Sequence, residues 1–178
     1  RPAAASLAKR WGCMTADPKA VQVTSATFEE VLARDGVLVY RTRGVSMEPM
    51  LREGRDAVTI RAAKPGERFN VNDVVMYYRA GDRKYTLHRI VGVGPAGYTI
   101  IGDNCVAYER DVPFEDVLGV LVSFVRDGKP CTVEDPEYLA YVRKLRRGER
   151  GRIARRKAAA KVKGALRRTF PGLAKRWK

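Results

Sequence analysis

Three side chains of types that could together cleave an amide bond are Ser46, His88 and Asp103. A serine hydroxyl is a weak nucleophile until a base takes its proton. A neutral imidazole, with an ordinary pKa of about 6.5, suits that task near neutrality. A carboxylate accepting from the other ring nitrogen fixes the tautomer and steadies the imidazolium. Ser46 stands in Gly44-Val45-Ser46-Met47-Glu48-Pro49-Met50-Leu51, where Pro49 fixes its own φ and holds Glu48 extended, and Gly44 permits a positive φ just before the serine. The same residues would serve an ordinary strand-to-turn junction, so Ser46 decides nothing alone. His88 is the one histidine of the chain, and a single strand histidine is more often structural than catalytic. Alternation places His88 and Ile90 on one face and Leu87 on the other. Asp103, in Gly102-Asp103-Asn104, follows the next strand and can point a carboxylate back at a neighbour; Glu109 and Asp111 are the alternatives.

The elements that must position these groups read mainly as β. Thr27-Phe28-Glu29-Glu30 forms a capping box for a short helix that Asp35-Gly36 ends. Strands are predicted over 37–43, 57–60, 74–78, 84–93, 98–101 and 117–125, punctuated by Gly- and Pro-containing turns. Many short strands with no helix between them argue for a coiled all-β domain rather than βαβ units. Residues 1–22 form an extension expected to be poorly ordered, 23–135 the β-rich domain, and 136–178 a helical, basic tail with Gly148, Gly151 and Gly164 as weak points.

Composition narrows the classes. At 178 residues the chain can bury a real core, and no stretch approaches the ~20 apolar residues of a membrane span. Cys13, Cys105 and Cys131 are odd in number and widely spaced, with one histidine for company. Neither a zinc site nor a disulfide framework is supported, no cofactor is implied, and a reducing, cytoplasmic compartment fits. The formal charge of +15 sits entirely in residues 143–178, which hold 16 of the 35 Lys and Arg and one acid, Glu149.

Four stretches make the reading specific. Ser46-Met47-Glu48-Pro49, Asp73-Val74-Val75-Met76-Tyr77, His88-Arg89-Ile90-Val91 and Gly102-Asp103-Asn104 stand in the order and spacing of the type I signal peptidase superfamily, which includes the self-cleaving SOS repressors. The resemblance spans roughly residues 41–125. It implies a coiled antiparallel β-domain and a serine endopeptidase acting on a leader- or signal-like peptide. Where many relatives carry a lysine this chain has His88, so it resembles the Ser-His branch of endoplasmic-reticulum, archaeal and sporulation signal peptidases. The resemblance implies Ser46 as nucleophile, His88 as general base, Asp103 as its orienting acid and the Ser46 N–H as an oxyanion donor. Relatives often carry a hydroxyl two residues before the nucleophile; Gly44 stands there, which leaves Thr42 or a second backbone N–H as the replacement. Met47 and Met50 are expected to line the substrate groove, their alternative being core packing. Substrate is expected to bind as an extended strand beside the Ser46 segment. A carboxylate beside His88 would move its pKa upward.

Two readings compete: a repressor-type self-cleaving peptidase, and an inert basic β-domain that adapts to membrane or nucleic acid. In the tail, Val162, Leu166, Phe170, Leu173 and Trp177 recur at three- and four-residue steps in a cationic surround. That pattern favours peripheral attachment to an anionic membrane surface over nucleic acid. The tail is expected to be separable from the chemistry, so that truncation after Asp135 spares cleavage.

Overall fold

A computed structural model describes residues 27–79, 81 and 83–169, the side chains of 164–169 excepted. The expected extension over 1–22, and Phe170, Leu173 and Trp177 of the tail, lie outside the described residues, as does the side chain of Leu166. The architecture is mainly β: a curled antiparallel sheet with a short helix before it and a long helix after it.

Helix α1 (Phe28–Asp35) forms as its capping box dictates. The Glu30 N–H donates to Thr27 Oγ1 and the Thr27 N–H to Glu30 Oε2, and Gly36 ends the helix at φ 70°. The strands are β1 (Val37–Arg41), β2 (Ala57–Ala62), β3 (Val74–Arg79), β4 (Lys84–Val93), β5 (Tyr98–Ile101), β6 (Glu109–Val112), β7 (Val117–Arg126) and β8 (Lys129–Thr132). They pair in the order β1-β2-β7-β3-β4-β5-β6, with β8 on β7 and every pairing antiparallel. Strands β6 and β8 were not foreseen, because Glu-Arg-Asp-Val and Lys-Pro-Cys-Thr carry no apolar alternation. Register shifts in four of the pairings bend the strands, which is how a sheet this wide curls on itself.

Curling gives the sheet two buried faces. Val74 and Met76 of β3 face a core with Met47, Leu51, Leu87, Leu121 and Phe124; Val75 and Tyr77 face a second with Ile90, Tyr98, Ile100 and Val120. Strand β3 is therefore apolar at every position from Val74 to Tyr77, all of them buried. Helix α2 runs unbroken from Pro136 to Thr169 through Gly148, Gly151 and Gly164. Its first half is not a free tail, for Tyr138 and Val142 belong to the first core and Ile153 is buried.

Candidate active site

Ser46 lies on the connection between β1 and β2. Gly44 there takes φ 78°, and a tight turn follows, with the Leu51 N–H donating to the Met47 carbonyl at 3.0 Å. Asp56 closes the base of the loop: it is fully buried and accepts from the Arg52 N–H (2.8 Å), the Asp127 N–H (3.1 Å) and Arg55. The other end is fastened by the turn after β5. The Asn104 N–H donates to the Ser46 carbonyl at 2.7 Å, and the Asn104 side-chain amide to the Val45 carbonyl at 2.9 Å.

His88 sits in the middle of β4, opposite Val75 of β3, and is 5% exposed. Its two ring nitrogens face different partners. Nδ1 lies 3.1 Å from Glu109 Oε1 and 3.3 Å from the Tyr77 hydroxyl. Nε2 lies beside Gly102, where a Cβ would stand 2.8 Å from Nε2, 2.8 Å from Cys105 Sγ and 2.7 Å from the Ser46 carbonyl oxygen. Only a glycine leaves room among these three atoms. A carboxylate accepts and does not donate, so the ring proton belongs on Nδ1 and the lone pair on Nε2. Burial holds the His88 pKa below the ordinary imidazole value, against an upward pull from Glu109. The expected upward shift is reversed, because desolvation of the imidazolium outweighs the adjacent carboxylate. The imidazole is neutral at pH 7 without further help.

Asp103 does not reach His88. Its Oδ1 and Oδ2 accept from Arg89 Nε (2.8 Å) and Nη2 (2.7 Å), and Oδ2 also from the Tyr141 hydroxyl (3.0 Å). The reason lies in strand alternation: Arg89 follows His88 in β4 and so points to the other face. A fully buried guanidinium needs a bidentate counter-charge more than a buried neutral imidazole does. The carboxylate on His88 is Glu109, one of the alternatives; Asp111 is exposed. Glu109 Oε1 also accepts from Arg79 at 3.3 Å.

The other expectations divide. Ser46, His88, Met47 and Thr42 line one groove of about 1010 Å³. Met50 does not: it is 1% exposed and packs in the core with its sulfur 3.4 Å from Arg89 Nη2. Thr42 cannot replace the missing hydroxyl at position 44, because its own is committed to the carbonyls of Arg52 (3.2 Å) and Asp56 (3.3 Å). The Ser46 N–H carries no hydrogen bond among the described residues. Cys105 also lines the groove, but burial pushes its thiol pKa up, away from the reactive thiolate.

Helix α2 braces the far side of the same turn, and this went unforeseen. Arg89 Nη1 donates to the Tyr138 hydroxyl at 3.0 Å and the Tyr141 hydroxyl to Asp103, while Arg152 and Arg156 donate to the carbonyls of Cys105 and Asn104. Tyrosines in a basic helical stretch give no signal of such a role. Truncation after Asp135 would remove every one of these contacts, so the first half of the tail is not separable from the site. Among the described residues no cluster of three His, Cys, Asp or Glu side chains could hold a metal, and no helix is long and apolar enough to cross a membrane.

Comparison with protein-family models and with curated proteins returned no match to this chain.

Proposed function

We propose that the chain is a serine endopeptidase in which Ser46 is the nucleophile, His88 the general base and Glu109 the acid that orients it, cleaving an extended leader- or signal-like peptide. The observation that carries this is the setting of His88: Nδ1 on a carboxylate, Nε2 beside Gly102 with the Ser46 carbonyl close to the same glycine, and Ser46 and His88 lining one groove. In the reaction His88 takes the Ser46 proton on Nε2 as the hydroxyl oxygen attacks the scissile carbonyl. The carbonyl oxygen gains the charge, and the Ser46 N–H, without a hydrogen bond among the described residues, receives it. His88 then passes its proton to the leaving amine, and water repeats the sequence on the acyl-enzyme. The resemblance to the Ser-His branch of the type I signal peptidase superfamily agrees with this, with Glu109 in place of Asp103. Among the described residues strand β1 ends the sheet, so its outer edge can pair with an extended substrate beside the serine segment.

A fluorophosphonate probe tests the reading. It should label the wild-type chain and not Ser46→Ala, and His88→Ala should lose labelling and peptide cleavage about as completely, because nucleophile and base act as a unit. General-base help is worth ~10²–10⁴-fold. Near-wild-type cleavage by His88→Ala would remove the pairing. A fragment appearing from the chain left alone at raised pH would mark the self-cleaving alternative instead.

The exposed face of α2 supports a second element of the reading, attachment to an anionic membrane surface. Arg155, Lys157, Lys161 and Lys163 are exposed along it, and so is Val162 (59%). Such attachment weakens with salt, as the Debye length falls from ~10 Å at 0.1 M to ~3 Å at 1 M.

A further inference from the structure

Away from the groove, a cleft of about 490 Å³ opens between α2 and the sheet at β4, β5 and β6. Its chemistry is one-sided. Arg146 and Arg147 stand four and three residues before Arg150, so each neighbours it on the helix surface, and Arg110 of β6 joins them in lining the cleft. The one acid of the cleft, Glu149, is 7% exposed and already engaged: Oε1 accepts from the Tyr108 hydroxyl at 2.7 Å and Oε2 from Arg146. Arg146 is fixed again by its bond to the Val91 carbonyl at 3.1 Å. Glu149 therefore orients one wall and leaves the cleft with a cationic excess. Arg110, Arg147 and Arg150 are exposed and have no ion-pair partner among the described residues. On the floor, Gly92 contributes no side chain at the β4–β5 register shift, which keeps the cleft open.

Four guanidinium groups around a concavity, one of them held by a buried carboxylate, differ from a solvated cationic face. Like charges repel, and so many converge stably where an anion joins them; guanidinium forks match the oxygens of a phosphate. The geometry points to a binding site for a phosphate-class oxyanion in this cleft, carried either by a small phosphorylated molecule or by a phosphomonoester lipid headgroup. This site is independent of the Ser46–His88 reading: it meets β4 at Val91 and Gly92, beyond the 84–88 stretch that lines the groove, and uses none of the groove's residues.

The test compares the full wild-type chain with Arg147→Ala/Arg150→Ala, and with Arg126→Ala/Lys129→Ala as a charge-matched control on the β7–β8 hairpin. Inorganic phosphate and pyrophosphate are titrated calorimetrically, and vesicles of phosphatidylcholine with and without phosphatidic acid are tested by cosedimentation. Saturable single-site binding of pyrophosphate that weakens about tenfold or more in the cleft variant, and stays unchanged in the control, is expected for a small phosphorylated ligand. If free anions do not bind but phosphatidic acid vesicles do, with the same tenfold loss confined to the cleft variant, the ligand is a lipid headgroup. Equal losses in the two variants would show that only diffuse charge is at work and overturn the site; so would no binding of any probe. A melting scan of each variant separates lost binding from lost fold.

Discussion

Replacing Glu109 with Gln isolates the charge on the His88 ring, since the shape and an acceptor oxygen remain. Two unit charges about 4 Å apart interact by about 4 kcal/mol at an effective dielectric of 20 and about 1 kcal/mol in bulk water. The Glu109 side chain is 25% exposed and lies 3.1 Å from Nδ1, so the lower half of that range applies. About 1.4–2.7 kcal/mol corresponds to one to two pH units. The sign follows from the causes: burial lowers the His88 pKa and Glu109 raises it. Losing Glu109 must therefore lower it further, the more so with the Arg79 guanidinium left beside the ring. The acid limb of kcat/KM, which reports the free enzyme's base, should move to lower pH by about one to two units. The plateau should fall as well, because the orienting charge is gone. His88 is the sole histidine, so its NMR titration is unambiguous and needs no substrate. Melting must be followed across the same range. A buried imidazole with a depressed pKa makes the fold less stable as pH falls below the unfolded value of about 6.5, and more so in the variant. An unchanged or raised His88 pKa in Glu109→Gln would refute the contact; a shifted pKa with an unmoved kinetic limb would refute His88 as the base.

Asp103→Asn should act on stability instead. It leaves a fully buried Arg89 without its counter-charge, a change that costs about 3–5 kcal/mol. Melting should fall steeply while the His88 titration moves less than in Glu109→Gln; a wild-type melting curve would show that the pair contributes little. Truncation after Asp135 removes Tyr138, Tyr141 and Val142 from the core and the turn, and should unfold or disable the chain in melting and labelling assays. Truncation after Lys157 keeps all of these and should preserve labelling while weakening cosedimentation with anionic vesicles, most clearly at low salt.

The strands that alternate or run apolar were legible because burial on one or two faces leaves a mark on residue types. The run Val74-Val75-Met76-Tyr77 reads as a strand from composition alone, and so do 84–93 and 98–101 at their observed bounds. Strands β6 and β8 were not, since an edge or hairpin strand can be built from charged and turn-forming residues whenever a neighbour supplies the pairing. That Ser46 and His88 line one groove agrees with what residue type and spacing suggested. Which carboxylate touches His88 was not legible, because that is chosen in three dimensions among several that the sequence brings near. Met50 was misplaced for the same reason: a methionine near Ser46 fits a groove or a core equally well until the face it turns to is known.

The exchange of roles between Asp103 and Glu109 explains how the site is held. Arg89 has five N–H donors in a fixed fork, and the fold satisfies them with Asp103, Asn72, Tyr138 and the Met50 sulfur. That network ties β4 to the Gly102-Asp103-Asn104 turn, and the turn is tied by Asn104 to the carbonyls of Ser46 and Val45. Because Arg89 and His88 are neighbours on opposite faces of one strand, a displacement of the guanidinium moves the turn and the imidazole together. Gly102, between them, has no side chain with which to absorb a shift. The buried ion pair is thus a positioning device for the Ser46 turn, and Glu109 is the carboxylate in contact with His88. An acid serving both would have to sit on both faces of β4, which the strand forbids.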